Sequence, residues 1–115
     1  MTPFGAKIRE HRNNKKILLK TMATDLGVTA AYFSALEHGF RGRPGSGLVQ
    51  QICSYLDLIW DDAEELKRLA QLSHPKTIID TSQLSIQATY LANLLALKID
   101  ELDEQTIEHI ISKIE

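Results

Sequence analysis

The 115-residue chain holds one cysteine, Cys53, so no disulfide can form within it and a disulfide-stapled fold is excluded. Cys53 is expected as a small core residue of a fourth helix, in a reducing cytoplasm. Long apolar runs are missing as well. No window of 18 residues is both apolar and uncharged, so no membrane span and no membrane partner is expected. The start, MTPFGAKIRE, lacks the apolar stretch of a secretory signal. His11, His38, His74 and His109 have no metal-ligand spacing. There is no Ser-His-Asp set, no CxxC pair and no glycine-rich phosphate loop, so neither catalysis, metal nor cofactor is expected. Asp61, Asp62, Glu64 and Glu65 read as an acidic first turn of a helix, with Asp61 and Glu64 spaced as a capping box.

What is present is a separation of charge. The net charge of −2 conceals eight Lys/Arg against three acids in residues 1–45, a net of +5. The remainder carries five bases and twelve acids, a net of −7. A solvated face normally mixes signs, so this division predicts that the first part meets a polyanion and the second does not.

The basic part contains LLKTMATDLGVTAAYFSALEHG, residues 18–39. Its spacing predicts two short helices joined by a tight turn. Met22, Ala23 and Leu26 make the apolar stripe of the first, about 19–26. Gly27 ends it, Val28 lies in the turn and Thr29 caps the second helix, about 30–38, which Gly39 ends. Phe33 and Leu36 face inward with Val28, and Ala23 is small where the helices cross. Ahead stands a helix with Phe4, Ile8 and His11 to one side, capped by Thr2 and opened by Pro3. Behind comes the basic, glycine-rich segment Phe40-Arg-Gly-Arg-Pro-Gly-Ser-Gly47. Two more amphipathic stretches follow, 48–58 and 61–72, with Ser46 placed to cap the first.

This order resembles the lambda-repressor-like helix-turn-helix domain of the XRE family. The residues that carry the resemblance are Ile8-Arg-Glu-His-Arg12, Met22-Ala23, Leu26-Gly27-Val28-Thr29, Tyr32 to Gly39, Arg43-Pro44 and Leu56-Asp57-Leu58. It spans about residues 4–72. The resemblance implies a five-helix domain over 1–73 that binds double-stranded DNA, usually as a dimer on a near-palindromic operator. It lays the second hairpin helix in the major groove, with Thr29, Ala30, Ala31, Tyr32 and Ala35 at the reading positions. Three of these are alanines, which can touch only a thymine methyl, so direct readout falls to Thr29 and Tyr32 and part of the specificity to DNA shape. Lys20 and His38 belong to the same DNA-contacting set. Arg41 and Arg43 are expected against the backbone or in the minor groove. Leu19 departs from the family, where a polar side chain there often bonds a phosphate; helix-start backbone N–H groups remain for that task. The resemblance also implies a partly buried Arg12–Glu37 ion pair between the first and third helices.

The resemblance fades after Ser73. His74-Pro75 breaks the chain and residues 74–81 form a connector. From Ser82 to about Ile99, Leu84, Ala88, Leu91, Ala92, Leu94 and Leu95 predict a helix with a broad apolar face. Glu104 to Ile114 repeats the pattern with Ile107, Ile110, Ile111 and Ile114. The expected fold is therefore all-α, a five-helix domain plus a C-terminal helical hairpin. That hairpin has more apolar surface than two helices can hide, so Leu91, Leu95, Ile107, Ile110, Ile111 and Ile114 are expected to pair with a second chain. The functional expectation is a dimeric repressor in a bacterial, phage or plasmid setting. Two alternatives stand beside it: an antitoxin that also binds a protein toxin, and a protein-interaction module without DNA binding.

Overall fold

The computed structural model describes residues 1–115. Seven α-helices and one 3₁₀ turn follow one another: α1 Pro3–Asn14, α2 Leu19–Asp25, α3 Ala30–Glu37, α4 Ser46–Tyr55, α5 Trp60–Gln71, α6 Ile86–Lys98, the turn Ile99–Glu101, and α7 Glu104–Ile114. The architecture is all-helical, a helix-turn-helix domain with a helical extension. The chain divides into two compact units, Met1–Thr77 and Ile78–Glu115, and the division falls inside the expected connector.

In the first unit the buried stripe of α1 is Phe4, Ile8 and Arg12, one residue every four. Arg12, not His11, completes it; His11 is half-exposed. Phe33 and Leu36 of α3, Met22 of α2, Ile52 of α4 and Leu66 of α5 close the core around that stripe. Cys53 lies in this core on α4 and burial pushes its thiol up.

Helices α1 to α4 all end in the same double hydrogen bond. In α2, Gly27 N–H donates to Thr24 O at 3.0 Å and Val28 N–H to Ala23 O at 2.9 Å. Gly27 has φ +78°, a conformation that costs glycine little. In α3 the pair is Gly39 to Leu36 O and Phe40 to Ala35 O, at 3.2 and 2.9 Å, with φ +84° at Gly39. Lys16 and Asp57 take the same left-handed position after α1 and α4.

Three expected helix starts are corrected. Ser46 is the first residue of α4 and Gly45 is its extended N-cap, without a side-chain hydrogen bond. Ile59 precedes α5 and offers no side-chain acceptor, so Asp61 and Glu64 form no capping box; Asp61 and Asp62 simply lie in the first turn. The sixth helix begins at Ile86, because Ser85 Oγ accepts from Ala88 N–H at 3.1 Å. Residues 81–84 are held as a turn by Asp80, whose Oδ1 takes Ser82 N–H at 3.0 Å, and by Leu84 N–H on Thr81 O. Leu84 is therefore not on the helical face.

In the second unit no residue is buried. Ile86, Tyr90, Leu91, Leu94 and Leu97 are exposed on α6, and Ile111 and Ile114 on α7. Leu91, Leu94, Leu95, Leu102 and Ile110 line an open apolar groove with Lys98 and Glu101 at its rim.

Candidate nucleic-acid interface

Two local devices set α3 against the rest of the first unit. At its start, Thr29 Oγ1 accepts from Tyr32 N–H at 3.0 Å, which stops the helix there and uses one lone pair of the hydroxyl. The O–H remains a donor. At its end, Glu37 anchors α3 to α1. Arg12 Nη1 donates to Glu37 Oε2 at 2.9 Å, with Glu37 wholly buried and Arg12 nearly so. Arg9 Nη2 stands 3.7 Å from Oε1, and no hydrogen bond reaches that oxygen. Burial pushes the Glu37 carboxyl above the usual range, opposed by Arg12 and then Arg9. The Glu37 carbonyl accepts from both the N–H and the hydroxyl of Thr2, at 3.1 and 3.0 Å.

Gly5 explains how α1 comes so near. A β-carbon there would lie 2.1 Å from Glu37 O, a backbone atom that cannot swing away. Glycine inside a helix normally costs about 0.5–1 kcal/mol relative to alanine. Here it permits the crossing that seats the ion pair. Sequence reasoning missed Gly5, because only the distance to α3 distinguishes it from a weak helix former.

The first turn of α3 carries Thr29, Ala30, Ala31 and Tyr32 together. Thr29 and Ala31 are exposed, Ala30 and Tyr32 half-buried, and Ala35 one turn on is half-buried. Arg41, from the following loop, places its guanidinium carbon 5.1 Å from the Tyr32 ring centroid. It is thus turned back onto the helix and holds the ring by cation–π attraction. Arg43 is exposed on the same loop, and Lys20 is exposed in the first turn of α2. Leu18 caps α2 without a side-chain acceptor, and Leu19 is half-buried against the core. His38 Nδ1 lies 2.9 Å from Ser34 O; the acceptor is a carbonyl, so that nitrogen carries the proton. The His38 ring stacks on Phe40 with centroids 6.1 Å apart.

The positive charge of the first 45 residues is partly spent within the fold. Arg9 and Arg12 face Glu37, Lys7 bridges Glu10 and Glu65 at 3.1 and 3.0 Å, and Lys15 reaches Asp57 at 3.9 Å. The cations left to face a polyanion are Lys16, Lys20, Arg41 and Arg43. No helix is long and apolar enough to cross a membrane.

No protein-family model and no solved structure matches the chain. Among curated proteins it is similar to the uncharacterized HTH-type transcriptional regulator RghRB of Bacillus subtilis (strain 168). The two are 23% identical over 121 aligned positions, covering 96% of this chain and 87% of that protein. It is also similar to the HTH-type transcriptional repressor RghR of the same organism, 31% identical over 61 residues. That second match covers 53% of this chain and 45% of the relative, so it spans less than half of the repressor.

Proposed function

We propose that this chain is a DNA-binding transcriptional regulator of the XRE type, a repressor that works as a homodimer on a near-palindromic operator. The observation that carries the reading is the α2–turn–α3 unit: a helix pinned at both ends that exposes Thr29 and Ala31 with Tyr32 half-buried next to them, in a unit that also exposes Lys20, Arg41 and Arg43. A helix so mounted fits the major groove, with Thr29 and Tyr32 as the hydrogen-bonding readers and the alanines allowing close approach. The names of the two relatives support the same role in transcription, and RghR is named a repressor.

Dimerisation is assigned to the second unit. α6 carries apolar side chains around most of its circumference, broken by Gln87, Thr89, Asn93 and Lys98, and a helix so apolar is most stable when surrounded. At 13 residues it is too short to span a bilayer. Two helices cannot enclose one of themselves, whereas two copies supply four. The proposed setting is the bacterial cytoplasm.

The reading is tested by fluorescence anisotropy of the full chain on duplex DNA from upstream of its own gene. Binding should weaken steeply with salt, with a log–log slope steeper than about −3, because each neutralised phosphate releases counterions. Tyr32→Ala should narrow the gap between that duplex and random DNA, while Arg43→Ala should weaken both alike. Absence of binding at low salt would overturn the reading.

A further inference from the structure

We propose that Phe40 is an apolar wedge that enters the duplex beside the reading helix, partly unstacks one base step and bends the DNA. The inference rests on α3 being the groove-binding helix.

The local chemistry comes first. The double hydrogen bond that closes α3 fixes Phe40 directly to the helix end. In such a turn the apolar residue at this position usually folds back over the residue five earlier. Val28, in the equivalent place after α2, does pack on the core. After α3 the residue five earlier is again an alanine, Ala35, yet the Phe40 ring stays 81% exposed. Its ring neighbour is His38, itself held by the Ser34 carbonyl. The ring is therefore both exposed and positioned in advance, so inserting it costs little additional ordering.

The surroundings identify the partner. Phe40 is followed by Arg41 and Arg43, and Arg41 is drawn back over Tyr32. An exposed apolar ring in a loop that carries two exposed arginines suits a partner that is negative outside and apolar within, and a stacked duplex has that character. Dimensions agree. The eight residues of α3 rise about 12 Å, close to the roughly 12 Å width of the major groove. With the Thr29 end in the groove, the Phe40 end reaches the flanking strand, next to the minor groove where wedge side chains enter base steps. The step entered should be a pyrimidine–purine step, since these unstack most easily.

The test uses the full chain and a duplex selected from a random library by the wild-type protein. 2-Aminopurine is placed at successive positions, and end-to-end distance is read by energy transfer. Wild type should raise 2-aminopurine emission at one step per half-site and shorten the end-to-end distance. Phe40→Ala should abolish both and weaken binding about tenfold, with melting temperature and salt slope unchanged. Phe40→Leu, still an apolar wedge, should retain the bend. Wild-type emission, bend and affinity in Phe40→Ala would overturn the wedge and leave the reading of α3 standing. A change in the sedimenting mass of Phe40→Ala with the bend intact would place the ring in a protein contact and overturn the wedge. Failure of the wild type to retain any duplex would overturn both.

Discussion

The two units of this chain are built from similar helices and reach opposite ends. In Met1–Thr77 every helix buries a stripe, and Phe4, Ile8, Phe33, Ile52, Leu56 and Leu66 are wholly enclosed. In Ile78–Glu115 no side chain is enclosed, and Ile86 and Ile114 are 89% and 77% exposed. The second unit is not short of apolar residues; it is short of partners for them. Its helices are locally well specified, with Ser85 and Asp103 as side-chain caps, whereas α2, α4 and α5 have none. The first unit, with side-chain caps only at Thr2 and Thr29, is thus held by its core, and the second has caps on both helices without a core. Its seven carboxylates against two lysines also make it a poor surface for DNA. In the proposed function the first unit reads DNA and the second joins two copies.

The largest effect that could break this contrast lies in the first unit. Glu37→Ala leaves Arg12 buried without a counter-charge, a loss of about 3–5 kcal/mol and a fall in melting temperature of roughly 15 °C or more. Gly5→Ala should act on the same junction through the clash with Glu37 O. Circular dichroism melts check both; wild-type melting in Glu37→Ala would remove the pair as an anchor of α3.

A smaller effect on folding, with a larger one on assembly, is expected from Leu95→Asp combined with Ile110→Asp. Both residues line the open groove. The double variant should sediment as a monomer, keep the melting transition of the first unit, and lose most of its affinity for a two-half-site duplex. Joining two heads makes the second contact effectively intramolecular, and that gain disappears. A dimer with unchanged DNA affinity would place the joining surface elsewhere.

The smallest effect sharpens the contrast from the other side. The Thr106 side chain, and then its N–H, which donates to Asp103 Oδ1 at 2.8 Å, hold the Asp103 carboxyl below the ordinary aspartate range. The cap's contribution is therefore present above that range and lost as pH falls through the folded-state value. Asp103→Ala should speed amide exchange at Thr106 and Ile107 near neutral pH, and the difference from wild type should shrink as the wild-type cap is protonated in acid. Equal exchange near neutral pH would mean that α7 is held by packing, as the first unit is.

Much of the first unit was legible in the sequence because its signals are local. Gly27, Thr29 and Gly39 each act on the hydrogen bonds of their own turn, and the structure has all three in those roles. The starts of α4, α5 and α6 were misread at Ser46, Asp61 and Leu84. A cap depends on which residue takes the extended conformation, and Gly45, Ile59 and Ser85 took it. Gly5 was invisible because its role is a distance to another helix. The exposure of Phe40 is not legible in the sequence, because Val28, in the same position after α2 and likewise five residues after an alanine, packs on the core. The positive charge overstated the surface available to DNA, because Lys7, Arg9, Arg12 and Lys15 turn toward carboxylates of the fold itself.

The most direct measurement of the whole assignment is selection by the full chain from a random duplex library, followed by sequencing of the retained DNA. Two inverted half-sites about 10 base pairs apart, centre to centre, are expected, since that spacing puts two copies of α3 on one face of the helix. Retention of no duplex would contradict the assignment of α3 to DNA, and enrichment of a single unrepeated half-site would contradict the pairing of two copies through α6 and α7.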